Sequence, residues 1–261
     1  MKRETIMNLY KMFLIKLLEE NNFNKLGRKL KFSNEFYLNC IFRILFYGES
    51  WNTFKCDECD RSTIRKRFYK WRDLGIFKMT YEELFKRYCE KRCFKNLFID
   101  STIIENSNCG ELVGTYYKIK TKKQLKVSVI CDSNKVPLSY TITKPSVHDV
   151  KQINPLIKQL KINLKRNTKL IGDKGYIARK KYYSRRNIRL ISPKRKNQKT
   201  KTNKKHKGLL KLRFVVEKLF SDLKRTYKRL KLVCERKLDN FVCFLLMAFS
   251  CQIIRADHNI L

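Results

Sequence analysis

The chain has 261 residues, of which 61 are Lys or Arg and 23 are Asp or Glu, so its formal net charge is +38. Self-repulsion on that scale favours a bound polyanion, which makes nucleic acid the first expected partner and an anionic membrane surface the second. The alternative is a Lys-rich surface that is merely solvated. The chain is 43% hydrophobic with only 8 Gly and 4 Pro, which excludes a disordered basic tail and predicts one large domain or two smaller ones.

The first part of the chain, residues 1–93, is predicted to be helical. Apolar side chains recur at helical spacing over 9–18 and again over 36–45, which indicates two amphipathic helices. A third helix is predicted over 62–71. These elements together predict a small all-helical domain that precedes the rest of the chain.

The third predicted helix mixes basic with aromatic residues and begins at Ser62 or Thr63, both suitable N-caps. A basic helix that follows shorter helices is typical of a helix-turn-helix recognition element. We therefore predict that Arg65 and Arg67 contact DNA. The alternative is an ordinary amphipathic helix whose basic face is solvated.

From residue 94 onward the pattern changes to alternating strands and helices. Three strands, helix, strand, helix, strand and helix is the order of an RNase H-like α/β fold, a mixed sheet flanked by helices. His148 and Asp149 are interpreted as the start of the first of these helices. The predicted elements are strands over 97–104, 124–131 and 136–143, a helix over 149–160, a strand over 169–172, a helix near 179–186, a strand over 189–192, and helices over 209–231 and 240–254.

The second predicted domain spans residues 94–261. Two of its segments have a distinctive composition. Residues 193–208 are rich in Lys, Arg and Asn, which predicts a flexible basic loop that orders on a polyanion. Residues 241–254 are apolar but too short to span a bilayer, so a core helix is predicted there. No signal peptide is visible, and we expect a soluble intracellular protein, in the cytoplasm or nucleoid of a prokaryote, or otherwise in a nucleus or viral factory.

The ten cysteines allow two interpretations. Free thiols in a reducing compartment are favoured, because several cysteines lie among apolar neighbours and behave as small hydrophobes. A four-thiolate zinc site is the alternative. Its ligands would be Cys56, Cys59, Cys89 and Cys93.

Three carboxylates indicate a catalytic site. Asp100 and Asp173 each follow an apolar run that reads as a buried strand, where a lone charge is too costly to serve packing. Glu217 lies on a predicted helix, four residues after Arg213 and seven before Lys224, so the three share one face. The alternative for Arg213 and Glu217 is a surface salt bridge. Taken with the two aspartates, we favour a site.

Such a trio of acids suits phosphoryl transfer on a nucleic-acid backbone. Two divalent ions can activate the attacking oxygen and stabilise the leaving oxygen, and Mg²⁺ prefers a few carboxylate ligands. Arg213 and Lys224 would then hold flanking phosphates by charge-assisted hydrogen bonds.

Three short segments of the chain resemble the three boxes of insertion-sequence DDE transposases, in the group typified by bacterial insertion sequences four and five. They are Ile-Asp-Ser-Thr at 99–102, Gly-Asp-Lys-Gly-Tyr at 172–176, and Arg213 with Glu217 and Lys224. The resemblance runs from about residue 34 to the end. The third box of the family usually carries a Tyr where this chain has Leu210.

The resemblance implies an RNase H-like core in which Asp100, Asp173 and Glu217 bind two Mg²⁺ or Mn²⁺ ions. It implies nicking of double-stranded DNA at terminal inverted repeats, strand transfer into target DNA, and a homodimer on paired ends. Lys174 and Tyr176 of the second box are further predicted DNA contacts. A catalytically inactive DNA-binding descendant, a nuclease on the same fold and a basic protein that condenses nucleic acid are the alternatives.

Overall fold

The computed structural model describes residues 1–21, 23, 30–90, 92–106, 114–116, 119–177, 182–183, 187–193, 204–233, 235–257 and 260. The chain divides into two compact units. The helical unit comprises Met1–Tyr88 and Leu223–Leu261, and the sheet unit comprises Cys89–Asp222. The predicted domain boundary after residue 93 lies close to this division. The last 39 residues differ from the prediction, since they lie in the helical unit and not with the strands.

The helices are α1 (Arg3–Glu20), α2 (Asn34–Tyr47), α3 (Arg61–Asp73), α4 (Ile76–Glu90), α5 (Ile153–Gln159), α6 (Lys204–Lys211), α7 (Phe214–Thr226) and α8 (Leu238–Ala256). Helices α1, α2, α3, α5 and α8 overlap helices predicted from the sequence, with bounds that differ by a few residues, and α4 lies within the stretch 1–93 that was predicted to be helical. Short 3₁₀ turns lie at Asp149–Gln152, Lys174–Tyr176 and Lys228–Leu230.

Helix α8 forms the core of the helical unit, and almost all of its residues are buried. The ring of Phe244 stacks on Phe68 of α3 with the centroids 4.8 Å apart. By length and composition α8 is the one helix among the described residues that is apolar enough to cross a membrane, but 78% of its apolar window is buried. A helix that is apolar on all sides and buried is typical of a protein core, as predicted for 241–254. Its contacts with α1 and α3 explain why the C-terminal residues belong to the helical unit.

Helix α3 differs from its prediction at its start. The N-cap is Asp60, whose side chain accepts a hydrogen bond from the Ser62 amide at 2.7 Å, and not Ser62 or Thr63. The guanidinium of Arg67 is half-buried over the ring of Tyr37, 5.1 Å from its centroid, while Arg65 is partly exposed. DNA contact by these two arginines stays a prediction.

A buried ion pair connects distant parts of the helical unit. The Arg229 side chain is 1% exposed and pairs with Glu235, which is 4% exposed. The same guanidinium donates to the carbonyl of Glu49 at 2.9 Å, and the Asn240 amide donates to Glu235 at 3.3 Å. Each charge therefore has partners that compensate for its loss of water.

Removing one member of this pair leaves the other charge buried. We expect Glu235→Ala to lower the free energy of unfolding by about 3–5 kcal/mol. We expect the paired replacement Arg229→Met with Glu235→Leu to cost less, because no unpaired charge remains. Urea denaturation of the three proteins measures the difference, and equal losses in the single and double variants would contradict this account.

The sheet unit is built on a mixed sheet. The strands of the chain are β1 (Phe94–Asn106), β2 (Gly114–Tyr116), β3 (Ile119–Cys131), β4 (Pro137–Thr143), β5 (Leu164–Ile171), β6 (Tyr182–Tyr183), β7 (Ile188–Ile191) and, in the helical unit, β8 (Leu232–Val233).

The neighbouring strands in the sheet unit run in the order β2-β3-β1-β5-β7-β6, and β4 pairs with β3. The path from β4 through β3 and β1 is antiparallel, whereas β1, β5 and β7 are parallel to one another. Helix α5 connects β4 to β5 and packs on β3 and β4. This arrangement confirms the predicted α/β fold, because an antiparallel meander followed by two parallel strands is the RNase H-like order.

Three predicted elements of the sheet unit differ from the structure. Tyr182–Tyr183 form a strand on β7, where a helix was predicted, since β pairing suits consecutive aromatic residues; 179–181 and 184–186 lie outside the described residues. Residues 204–208 of the predicted basic loop belong to helix α6, and 194–203 lie outside the described residues. The single helix predicted over 209–231 is interrupted at Leu212–Arg213, where bonds between residues three apart tighten the backbone.

The described cysteines are free thiols. Burial raises the pKa of the thiols of Cys243 and Cys251 to about 12, so both are kept protonated as small apolar groups. Within the described part of the chain, no group of three or more His, Cys, Asp or Glu side chains is placed to hold a metal ion. The zinc alternative therefore has no support from these residues.

Candidate active site

Strand register brings the two aspartates together. Phe98 of β1 is paired in parallel register with Ile171 of β5, and Asp100 and Asp173 each follow two residues later. Neighbouring strands lie about 4.8 Å apart, so the two segments are adjacent where β5 ends. The apolar run before Asp100 suggested that the strand ends at this residue. In the structure β1 instead continues past Asp100 to Asn106, along β3.

Asp173 is held by the turn that follows β5. Its backbone is extended, and its Oδ1 accepts a hydrogen bond from the Gly175 amide at 2.7 Å, which caps the 3₁₀ turn. Gly172 lets this turn approach β1 closely, because a Cβ there would lie 2.9 Å from Ile99 Cγ2 and 3.0 Å from Tyr176 Cβ. The glycine of the second sequence box is therefore a packing requirement.

Adding a methyl group at Gly172 should force the turn away from β1. We expect Gly172→Ala to lower the free energy of unfolding by about 1–3 kcal/mol, the usual cost of overpacking. Gly208→Ala is the matched control, since a Cβ there meets nothing within 4 Å and Ala favours a helix. Urea denaturation monitored by circular dichroism should show a loss for the first variant only.

Asp100 shares its electrostatic environment with the other site residues. Burial raises the pKa of Asp100 to about 6, although the Ser101 amide donates to its Oδ1 at 2.8 Å and opposes the rise. The charges of Asp173 and Glu217 raise this pKa further, and the Arg213 charge lowers it. The structure thus brings all three predicted acids and Arg213 within electrostatic reach of one another.

Arg213 bridges two of the three acids. Its Nη2 lies 2.7 Å from Glu217 Oε1, one helical turn away, and its Nη1 lies 3.8 Å from Asp173 Oδ2. The side chains of Arg213, Asp173 and Glu217 are 31%, 38% and 51% exposed, respectively. Ion pairs at such exposure contribute little to stability, so the arrangement is better explained by function than by folding.

The other predicted site residues have different surroundings. Lys174 is exposed directly beside Asp173. Lys224 lies two turns after Glu217 on α7, in the part of that helix assigned to the helical unit, and burial lowers the pKa of its ammonium group. The prediction that Tyr176 contacts DNA is wrong, because its side chain is fully buried and its hydroxyl lies 2.6 Å from Ser101 Oγ.

An ion pair beside the Asp173 turn was not predicted. The buried Lys126 ammonium donates to Asp149 Oδ1 at 3.0 Å and to the Val147 carbonyl at 2.7 Å. Asp149 lies against the turn, since a Cβ on Gly175 would be 2.9 Å from its Oδ2. Asp149 starts the 3₁₀ turn as interpreted from sequence. The available signal was a lysine inside an alternating apolar strand, which requires an acidic partner.

Comparisons with known proteins place the chain in a family. Residues 92–254, which include the whole acidic cluster, match the family model described as the transposase DDE domain. The chain belongs to this transposase family. The predicted resemblance to DDE transposases is therefore confirmed, and the chain is a DNA transposase, an enzyme that cuts and joins DNA strands.

The fold of the transposase is shared with a distant solved structure. A piggyBac transposase in a synaptic complex with hairpin DNA aligns with 97% of this chain and 72% of its own chain, at a TM-score of 0.53 and 11% identity. At that identity the similarity concerns the fold alone. No curated protein matches the sequence.

Proposed function

We propose that this transposase cuts double-stranded DNA at transposon ends and joins the freed ends to target DNA, with Asp100, Asp173 and Glu217 as the metal-binding acids. The observation that carries the proposal is the register that places Asp100 and Asp173 on adjacent segments where β5 ends, with Arg213 pairing with both Asp173 and Glu217. DDE transposases generally use divalent metal ions. We assign two Mg²⁺ or Mn²⁺ ions to this site.

The chemistry of the donor set fits such ions, although as placed in the described residues the three acids do not yet form a group that could hold one. The three acids provide only carboxylate oxygens, the ligands that Mg²⁺ prefers, and they concentrate negative charge that needs a positive partner. In the described structure Arg213 supplies that positive charge by pairing with Asp173 and Glu217. The pair is exposed enough for these carboxylates to exchange the guanidinium for another cation.

Each residue of the site then has a defined role. Bound divalent ions would stabilise charge on the attacking and leaving oxygens of the phosphodiester. The Ser101 and Gly175 amides orient one oxygen each of Asp100 and Asp173, leaving the second oxygens for ligation. The guanidinium of Arg213, once released from the acids, is suited to a bidentate contact with a DNA phosphate.

DNA contacts beyond the acids are assigned by charge and exposure. Lys174 is exposed next to Asp173 and is proposed to bind a phosphate beside the scissile bond. Lys224 on α7, and Arg65 and Arg67 on α3, are proposed to contact the DNA further away. We also propose that the protein works inside the cell as a homodimer that pairs two transposon ends.

The role of Asp173 is tested by removing its charge. We expect Asp173→Asn to lower the rate of Mg²⁺-dependent cleavage of end-sequence DNA by about a thousandfold, or roughly 4 kcal/mol of transition-state stabilisation. Binding of the same DNA, measured by fluorescence anisotropy without metal, should be unchanged or slightly tighter. This result separates an enzyme from a DNA-binding descendant.

Asp239→Asn is the matched control, because it makes the same charge change at an exposed position in the first turn of α8. It should cleave as the wild type does. Equal cleavage by Asp173→Asn and wild type would refute the metal assignment. Cleavage without joined products in the wild type would instead favour a nuclease on the same fold.

Salt dependence tests the contribution of the net charge of +38. Each phosphate contact releases a counterion, so about six to ten contacts should weaken binding some 10³- to 10⁵-fold between 50 and 200 mM salt. Anisotropy titrations across that range measure the slope. A response that is nearly flat would show that the basic surface is not the DNA footprint.

A further inference from the structure

Three hydroxyl groups form a chain across the sheet unit beneath the acidic site. Ser128 Oγ of β3 lies 2.8 Å from Ser101 Oγ of β1, which in turn lies 2.6 Å from the hydroxyl of Tyr176. The two serines face each other directly in the antiparallel register. We call this set the hydroxyl chain.

The hydroxyl chain joins the two segments that carry the aspartates. Ser101 directly follows Asp100, and its amide orients that carboxylate. Tyr176 ends the 3₁₀ turn that Asp173 caps. Any movement of the turn away from β1 must therefore lengthen the bond between Ser101 and Tyr176.

The bond between Ser101 and Tyr176 lies beyond the backbone pairing of β1 with β5. Backbone pairing of β1 with β5 runs from Phe94 to Phe98, which is paired with Ile171, and the hydroxyl bond lies beyond that stretch. Ser128 and Tyr176 are fully buried and Ser101 is partly buried, so water has limited access to the bond. The Tyr176 ring also packs on Gly172, where a Cβ would be 3.1 Å from Cδ2.

A second contact supports the turn that follows Asp173. Asp149 lies against Gly175 and is anchored by the buried Lys126. The turn thus contacts both Asp149 and the hydroxyl chain. Of these two supports, the bond from Tyr176 to Ser101 is the one that links the turn to the strand of Asp100.

We propose that Tyr176 is a positioning residue: its hydroxyl, bonded to Ser101, sets the separation of the Asp100 and Asp173 carboxylates and so prepares the divalent-ion site. The proposal rests on the metal-binding role assigned to these acids. Groups that orient metal ligands from outside the coordination sphere commonly change metal affinity 10- to 100-fold when removed.

The test uses Tyr176→Phe, which removes the hydroxyl and keeps the buried ring. Mn²⁺ binding to the full chain is measured by the electron paramagnetic resonance signal of free Mn²⁺. We expect the dissociation constant to rise about tenfold. The Mn²⁺ concentration for half-maximal cleavage should rise in parallel, while DNA binding without metal is unchanged.

Two serine variants test the role of the hydroxyl chain independently. Ser101→Ala breaks both bonds of the hydroxyl chain and should weaken Mn²⁺ binding at least as much as Tyr176→Phe. Ser128→Ala leaves the bond from Ser101 to Tyr176 and should have a smaller effect. Thr141→Val is the matched control, since it removes a hydroxyl that bonds Gln152 one strand further away, and it should bind Mn²⁺ as the wild type does.

The outcomes separate this proposal from the proposed function. Wild-type Mn²⁺ affinity in Tyr176→Phe and Ser101→Ala would overturn the positioning role and leave the metal assignment standing. If the wild type bound no Mn²⁺ and Asp173→Asn cleaved normally, both would be overturned. Equal weakening by Thr141→Val would show a general loss of stability and would also count against Tyr176.

Discussion

Carboxylates that repel one another are held together at the end of β5, and the functional arrangement depends on this constraint. The parallel register of β1 and β5 places Asp100 and Asp173 side by side, and the resulting burial and repulsion raise the pKa of Asp100 to about 6. The sheet can hold such a group because its backbone bonds and apolar packing are formed independently of the acids. This repulsion is the physical basis of the cation binding that we propose for the site.

The two kinds of ion pair in the chain differ in a way that matches their roles. Arg229 and Glu235 are buried with further hydrogen bonds, so breaking the pair is costly and it fixes the helical unit. Arg213 pairs with acids that remain partly exposed, at one short and one longer distance. Water can replace that pair at little cost, which is consistent with the proposed role of the guanidinium in binding a phosphate.

Besides the ion pairs of Arg213 and Lys126, the acidic site is supported by groups that carry no net charge. Two backbone amides orient the aspartates, a glycine allows the Asp173 turn to approach β1, and buried hydroxyls join the turn to the strand. Such neutral contacts fix positions without changing the charge of the acids. The fold itself tolerates extensive sequence change, since it is shared with a piggyBac transposase at 11% identity.

The sequence by itself determined the fold class and the acids. Period-two strands, the apolar core helix and the spacing of Arg213 and Glu217 are local patterns, and local patterns report secondary structure and shared helix faces directly. Element ends were less accurate, as the Asp60 cap and the interruption at Leu212–Arg213 show. The ends of helices and strands depend on single side chains and on packing, which the periodicity of apolar residues does not record.

Only the tertiary structure decided what lies beside each acid. The contact of Tyr176 with Ser101 joins residues 75 positions apart, and the pair of Lys126 with Asp149 depends on where β3 passes the turn. The assignment of the last 39 residues to the helical unit likewise follows from the packing of α8. Register and long-range packing set these contacts, and no pattern within a short window of sequence contains that information.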